Sequence, residues 1–285
     1  MPHGTYNKQN RAAEDRIQVK DLKRFKYFAV FDGHGGAHKN INHVVDYCQQ
    51  NLHIKLTKNL SNIHNEDEII KIIKQTFVEL DEEMFEFGMK YGSTCTLVLI
   101  DKYNNKIYQV NLGDSKTIIY DNYNDDIYYT IGHNVENDEN KLINEGASII
   151  NGRLYGALLP TKGFGNYLFK LIDNNHNFYQ KVLDGEIKTN TQSVDKILDQ
   201  FDLTIDCENQ PFNVIPDVNI FDEIDRYDIL LLSDAVDEVG YTEYELVEML
   251  IDYKKNFNAK AIANKIGKDI SQEASDDTSV IVIIQ

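Results

Sequence analysis

The chain has no long apolar run: nowhere does it approach the ~20 consecutive apolar residues that a membrane-crossing helix needs. Clusters of basic residues are missing as well. Lys and Arg never run longer than a dipeptide, and the formal net charge is −17. Nucleic-acid binding demands a cationic footprint, so no nucleic-acid partner is expected. An anionic membrane surface would repel such a chain, so no membrane partner is expected either. Cysteine is scarce. Cys48, Cys95 and Cys207 stand far apart with no CxxC and no His/Cys cluster. That argues against a zinc or iron–sulfur site and fits free thiols in a reducing compartment. The opening residues lack the basic-then-apolar layout of a secretory signal, so a soluble, cytoplasmic protein is expected. A P-loop is absent, and Gly33-His34-Gly35-Gly36 does not complete GxGxxG, which leaves a nucleotide-binding loop a poor reading. No internal repeat is visible. Hydrophobic residues make up 42% of 285 positions, enough to bury a core, so disorder of the whole chain is excluded. One domain over 1–285 is expected, monomeric by default.

What is present alternates between strand-like and helix-like stretches. Tyr27-Phe28-Ala29-Val30-Phe31 is a short apolar, β-prone run that reads as a buried strand, ending in the turn Asp32-Gly33-His34-Gly35-Gly36. Helical spacing follows from about Ala37 to Leu56 and from about Glu66 to Met89. Thr94–Ile100, Lys106–Leu112, Lys116–Tyr120 and Asp126–Thr130 read as an antiparallel meander, with Gly113-Asp114-Ser115 as a hairpin turn. Glu136–Asn144 reads as a short helix closed by Gly146. Residues 167–213 are polar and weakly periodic, and read as an insertion or flap with a helix over Val194–Phe201. Strands are expected at Val218–Phe221, Asp228–Leu232 and Thr278–Ile284. Thr242-Glu243-Tyr244-Glu245 is a capping box opening a helix to about Tyr253, and Ala259–Ile270 is a second helix. Paired helices with strands at start, middle and end predict an α+β layered fold rather than a βαβα repeat.

Acidic residues mark the strand ends. Glu14-Asp15 precede a candidate strand, Asp32 and Asp234 each follow a buried one, and Asp276-Asp277 precede the last. Carboxylates at converging strand tips would form an all-oxygen cage suited to Mg²⁺ or Mn²⁺. Strand-end Asp residues also begin turns and cap helices. Spacing alone leaves both readings open, because convergence in space is invisible in a sequence.

Phe28-Ala29-Val30-Phe31-Asp32-Gly33-His34-Gly35-Gly36 resembles the most diagnostic segment of the metal-dependent Ser/Thr protein phosphatases, the protein phosphatase 2C family. Further segments resemble that family's motifs in the right order: Arg11-Ala12-Ala13-Glu14-Asp15, Gly92-Ser93-Thr94, Val110 to Lys116, Glu145-Gly146-Ala147 with Gly152-Arg153-Leu154, Thr161 to Asn166, Pro216-Asp217-Val218 with Leu232-Ser233-Asp234, and Ser275 to Val280. The resemblance spans Arg11 to Ile284 and implies a four-layer α-β-β-α sandwich, a central antiparallel β-sandwich flanked by helix pairs. It further implies a cleft with two divalent cations, Mg²⁺ or Mn²⁺. Asp32 would bridge them, with Gly33 (through its carbonyl), Asp234, Asp276 and Glu14 as further ligands and Asp15 in support. Arg11 would bind phosphate. A hydroxide bridging the cations would attack the phosphorus of phosphoserine or phosphothreonine in a phosphoprotein, and His34 would protonate the leaving oxygen.

The chain also departs from the family pattern. Gly132 stands where an Asp is usual and Asp237-Glu238 where Trp-Asp is, so a third, weaker metal site looks lost or altered. Lys162 replaces an Arg, Asn166 an Asp and Ala235 a Gly, the last expected to cost backbone freedom. Asp277 replaces an Asn and is expected to add negative charge near the metals. These departures motivate the alternative of a catalytically weak or dead pseudophosphatase that serves as a binding module.

Overall fold

The structure, a computed structural model, describes residues 1–10, 13–35, 43–173 and 203–285. Among the described residues, ten strands form two five-stranded antiparallel sheets. They are β1 (His3–Lys8), β2 (Arg16–Asp21), β3 (Phe25–Phe31), β4 (Cys95–Asp101), β5 (Lys106–Leu112), β6 (Lys116–Asp121), β7 (Asp126–Tyr129), β8 (Asp217–Asp222), β9 (Tyr227–Leu232) and β10 (Thr278–Ile283). One sheet runs β1-β10-β9-β6-β7 and the other β8-β5-β4-β3-β2.

Period-two alternation explains why the sheets stack. On β3, Phe28 and Val30 face the opposite sheet and meet Ile229 and Leu231 of β9 and Ile281 and Ile283 of β10. The alternate residues Tyr27, Ala29 and Phe31 face outward, under helices α1 (His43–Asn59) and α2 (Glu66–Glu82). The other sheet does the same with Leu230, Leu232, Val280 and Val282 beneath α5 (Glu243–Lys254) and α6 (Ala259–Glu273). Strands buried on both faces read as continuous apolar runs, and that is how β3 and β9 read. Each fully buried Ile, Leu or Phe contributes about 1.5–3 kcal/mol. The strand tips are therefore anchored in a stiff frame. Two short helices, α3 (Val135–Asn144) and α4 (Ala235–Val239), complete the described set. The α-β-β-α layering is the one expected.

The helix expected from Ala37 is described from His43, since 36–42 lie outside the described residues. The second helix ends at Glu82, not near Met89. The capping box on Thr242 is formed: its side chain accepts from Glu245 N and the Glu245 carboxylate accepts from Thr242 N. β1 has no counterpart in the sequence reading. The expected meander is corrected: β4 pairs with β5 and β6 with β7, but β5 and β6 lie in opposite sheets. Gly113-Asp114-Ser115 is thus a crossover between sheets rather than a hairpin. Thr94 Oγ1 to Ser115 Oγ (2.7 Å) and Thr96 Oγ1 to Thr117 Oγ1 (2.6 Å) stitch the sheets together beside it.

The segment read as an insertion begins inside packed structure. Tyr167 and Lys170 are fully buried, and Leu171–Asp173 pairs with Leu203–Ile205, bracketing the undescribed stretch. The helix expected over Val194–Phe201 lies outside the described residues.

Candidate active site

At one end of the sandwich a cavity of about 600 Å³ opens, and its lining includes Glu14, Asp32, Gly33, His34, Asp114, Asp234 and Asp276. Sequence-distant acidic tips therefore share one pocket. Asp32 caps β3 and Asp234 follows β9. Glu14 precedes β2, and Asp276 sits exposed at the rim before β10. Asp15 lies behind them, buried among Asp234, Asp277, Ser233 and Ser279. Arg11 lies outside the described residues.

Crowded burial dominates the electrostatics of this wall. Desolvation, aided by Asp276 and Asp277, pushes the Glu14 carboxyl up to about 7. Burial likewise pushes Asp15 and Asp114 to about 8 and Asp234 to about 6, while burial and the Asp234 charge drive Asp32 far up. Three buried oxygens here, Glu14 Oε1, Asp15 Oδ2 and Asp234 Oδ1, have no hydrogen-bond partner. The carboxylates share the cavity without closing on one point: among the described residues, no group of three or more His, Cys, Asp or Glu is disposed to hold a metal ion as the side chains stand. Repulsion between like charges opposes such closure. The orphaned oxygens, the raised carboxyls and an all-oxygen donor set nonetheless fit a hard divalent cation, which would relieve the first two. Rotating these carboxylates onto a shared ion costs far less than burying unpaired charge.

The same cavity is lined by His34. Three two-residue strands, Phe164–Gly165, Gly92–Ser93 and Gly33–His34, lie side by side with Gly92 between Gly165 and His34. His34 Nε2 is 2.5 Å from Asn166 Oδ1. Asn166 Nδ2 donates to Lys90 O (3.1 Å), so its oxygen faces the ring and must accept from Nε2–H. A Cβ at position 92 would collide with both Asn166 Oδ1 and His34 Nε2, which is why glycine is needed there. Asn166 has left-handed backbone, φ 50°, a conformation Asn tolerates. Burial lowers the His34 imidazole to about 4, opposed by the Asn166 bond and helped by the Lys170 charge. Lys90 and Arg153 bring cations to the lining, and Leu158, Leu159, Pro160 and Phe169 form an apolar side.

A model of the protein phosphatase 2C family matches residues 4–278. The chain belongs to that family. Among curated relatives, it is 29% identical over 166 residues to the integrin-linked kinase-associated serine/threonine phosphatase 2C of Bos taurus, spanning 52% of this chain and 43% of that protein. It is 28% identical over 170 residues to human protein phosphatase 1B, spanning 53% of this chain and 34% of that one. The match thus covers less than half the length of these relatives. Among solved structures, a phosphatase from a pathogenic strain of Toxoplasma gondii aligns with TM-score 0.71 at 17% identity over 98% of this chain and 91% of its own. A sex-determining protein of C. elegans aligns with TM-score 0.67 at 18% identity over 98% of this chain and 64% of its own.

Against the protein phosphatase 2C pattern, several departures acquire physical meaning. Ala235 is the first residue of α4 and has no positive φ, so the expected backbone cost does not arise. Asp114, read as a turn residue, lines the cavity from the inter-sheet crossover. Asp277 does add negative charge beside the site, helping to raise Glu14 and Asp15, and it is also a clamp: it is buried, Oδ2 accepts from Glu14 N (2.6 Å) and Asp15 N (3.3 Å), and Oδ1 accepts from Asn10 N. Asp237 is paired with Lys116 (2.8 Å). Glu238 holds the turn before β10 by accepting from Ser275 N (2.7 Å) and Asp276 N (3.3 Å). At Gly132 an added Cβ would lie in ordinary contact, 3.4 Å from Asp114 Cα, so sterics do not demand the glycine. Lys162 joins His133 on Asp217, at 2.9 Å and 3.0 Å. Sequence reading missed the His34 partnership of Asn166 and the clamp by Asp277, because both join residues more than 100 positions apart.

Proposed function

We propose that residues 1–285 form one catalytic domain that hydrolyses phosphoserine and phosphothreonine in proteins with the help of two Mg²⁺ or Mn²⁺ ions. The observation that carries this is the gathering of Glu14, Asp32, Asp114, Asp234 and Asp276 on one cavity, with orphaned buried oxygens, together with His34. Asp32, Asp234, Asp276, Glu14 and the Gly33 carbonyl would hold the ions, with Asp15 behind them. When bound, such ions stabilise charge on phosphoryl oxygens and lower the pKa of water at the site.

The chain's own groups supply the rest. Lys90 and Arg153 draw the phosphate into an otherwise acidic molecule, and Arg11 is proposed to grip its oxygens. An arriving phosphate dianion favours protonated His34, offsetting the burial that keeps the free ring neutral. His34 then gives its proton to the departing Ser or Thr oxygen, a contribution of ~10²–10⁴-fold. Asn166 keeps the ring aimed by accepting from Nε2–H.

The test is phosphate release from a phosphothreonine peptide with and without Mn²⁺, for the wild type and Asp32→Ala. Metal-dependent release lost in the variant supports the reading; metal-independent release, or an undiminished variant, overturns it. A second reading, a pseudophosphatase that scaffolds a partner, is favoured by one observation: the neutral amide of Asn166 lends His34 no negative charge. Calorimetry decides it, since no Mn²⁺ binding at millimolar concentration selects the scaffold.

A further inference from the structure

Among the described residues, one fully buried ion pair is left unused by the proposed chemistry. Asp81 of α2 and Lys170 are both completely inaccessible, 2.7 Å apart. An interior pair of this kind is retained at a desolvation cost, so it invites a question about what it holds in place. The contacts answer it. Asp81 Oδ1 accepts from Gly165 N (2.7 Å), its Oδ2 accepts from Lys170 Nζ, and its carbonyl accepts from the Tyr167 hydroxyl. Lys170 Nζ also donates to Gly163 O (2.9 Å). Contacts at 163, 165, 167 and 170 thus surround Asn166, whose backbone is left-handed and whose oxygen meets His34.

We propose that Asp81 and Lys170 are positioning residues: α2, through this buried pair, fixes the Gly163–Lys170 loop so that Asn166 Oδ1 stays on His34 Nε2. The inference rests on the phosphatase reading only for its consequence in turnover. Gly165 N is tied to Asp81, and the Gly92 backbone lies against Asn166 Oδ1 and His34 Nε2 too closely to admit a Cβ. Loosening the pair therefore misaims the imidazole while the acidic wall stays as it was.

Misaiming a proton donor harms a substrate with a poor leaving group far more than one with a good leaving group. The experiment compares kcat for a phosphothreonine peptide with kcat for p-nitrophenyl phosphate, with Mn²⁺ present, in the wild type, Asn166→Ala and the paired variant Asp81→Asn/Lys170→Met. The paired change removes both charges together, avoiding a stranded buried ion. Peptide turnover is expected to fall by about tenfold or more in both, a share of the general-acid contribution, with a much smaller fall for p-nitrophenyl phosphate. Parallel losses on the two substrates would overturn the proposal.

A second measurement needs no turnover. The His34 Nε2–H resonance, followed by ¹⁵N-edited NMR in Mg²⁺, should move in the paired variant to where Asn166→Ala places it. A resonance that stays at the wild-type position in a folded paired variant counts against positioning. Should the wild type release no phosphate from the peptide, the phosphatase reading fails while the NMR result still decides the positioning claim.

Discussion

Two sets of acidic residues in the molecule are balanced differently. In the set linked to the His34–Asn166 contact, buried Asp81 has Lys170 as its own cation, and the more exposed Asp217 elsewhere has Lys162. In the other set Asp15, Asp32, Asp114 and Asp234 are pushed upward by burial and by one another, and no Lys or Arg is among the causes acting on them. A fold that supplies counter-charges where the purpose is structural, and omits them where carboxylates meet a cavity, leaves the second region to a cation from solution. The contrast separates a carboxylate that holds structure from one that waits for a ligand better than burial alone does.

The largest expected effect comes from breaking the unbalanced side. Asp32→Ala should cost several kcal/mol of transition-state stabilisation, on the order of 10³-fold in peptide dephosphorylation with Mn²⁺, yet raise the midpoint of thermal unfolding in EDTA. On the balanced side the sign of the stability change reverses. Asp81→Asn alone strands Lys170 and should lower unfolding free energy by about 3–5 kcal/mol in a denaturant titration.

Acidity separates the regions again. The carboxyls of Glu14, Asp15, Asp114 and Asp234 lie at about 7, 8, 8 and 6 in the folded chain, against roughly 4 when unfolded. The native state therefore binds more protons than the unfolded one between these values. Metal-free stability should accordingly fall as pH rises from about 4 to about 8, and Mn²⁺ should raise the unfolding midpoint more at pH 8 than at pH 5.5. A flat profile in EDTA would sink the comparison. A smaller effect is expected from Asp277→Asn, which leaves one of its two oxygens to serve three backbone donors. Mn²⁺ affinity by calorimetry should weaken by about tenfold, as for other groups that orient ligands. Smallest is Lys162→Ala. Its partner Asp217 is largely exposed, so unfolding free energy should change by less than about 1 kcal/mol.

The sandwich was largely readable because β3, β9 and β10 are apolar on both faces and cannot be anything but interior strands. The strand-tip acids were visible for the same reason, since each follows or precedes such a run. β1 escaped notice because His3-Gly4-Thr5-Tyr6-Asn7-Lys8 is an edge strand with little apolar character. The turn at Gly113-Asp114 looked like a hairpin because turn chemistry is local, whereas the choice of sheet for the next strand depends on partners 100 residues away. Asp81, Asn166 and Asp277 were silent or misjudged on similar grounds. Each acts through a backbone group or a side chain that nothing in its own neighbourhood of sequence specifies.

The pairing of His3–Lys8 with Thr278–Ile283 bears on how the protein is made. β10 sits between β1 and β9, so a ribosome that has not yet delivered residue 283 holds a chain whose first sheet lacks an inner member and exposes two raw edges. Asp276 and Asp277 arrive with that same strand. The pocket can mature only once residues 276–283 have been made, and nascent chains are expected to need shielding from one another until then.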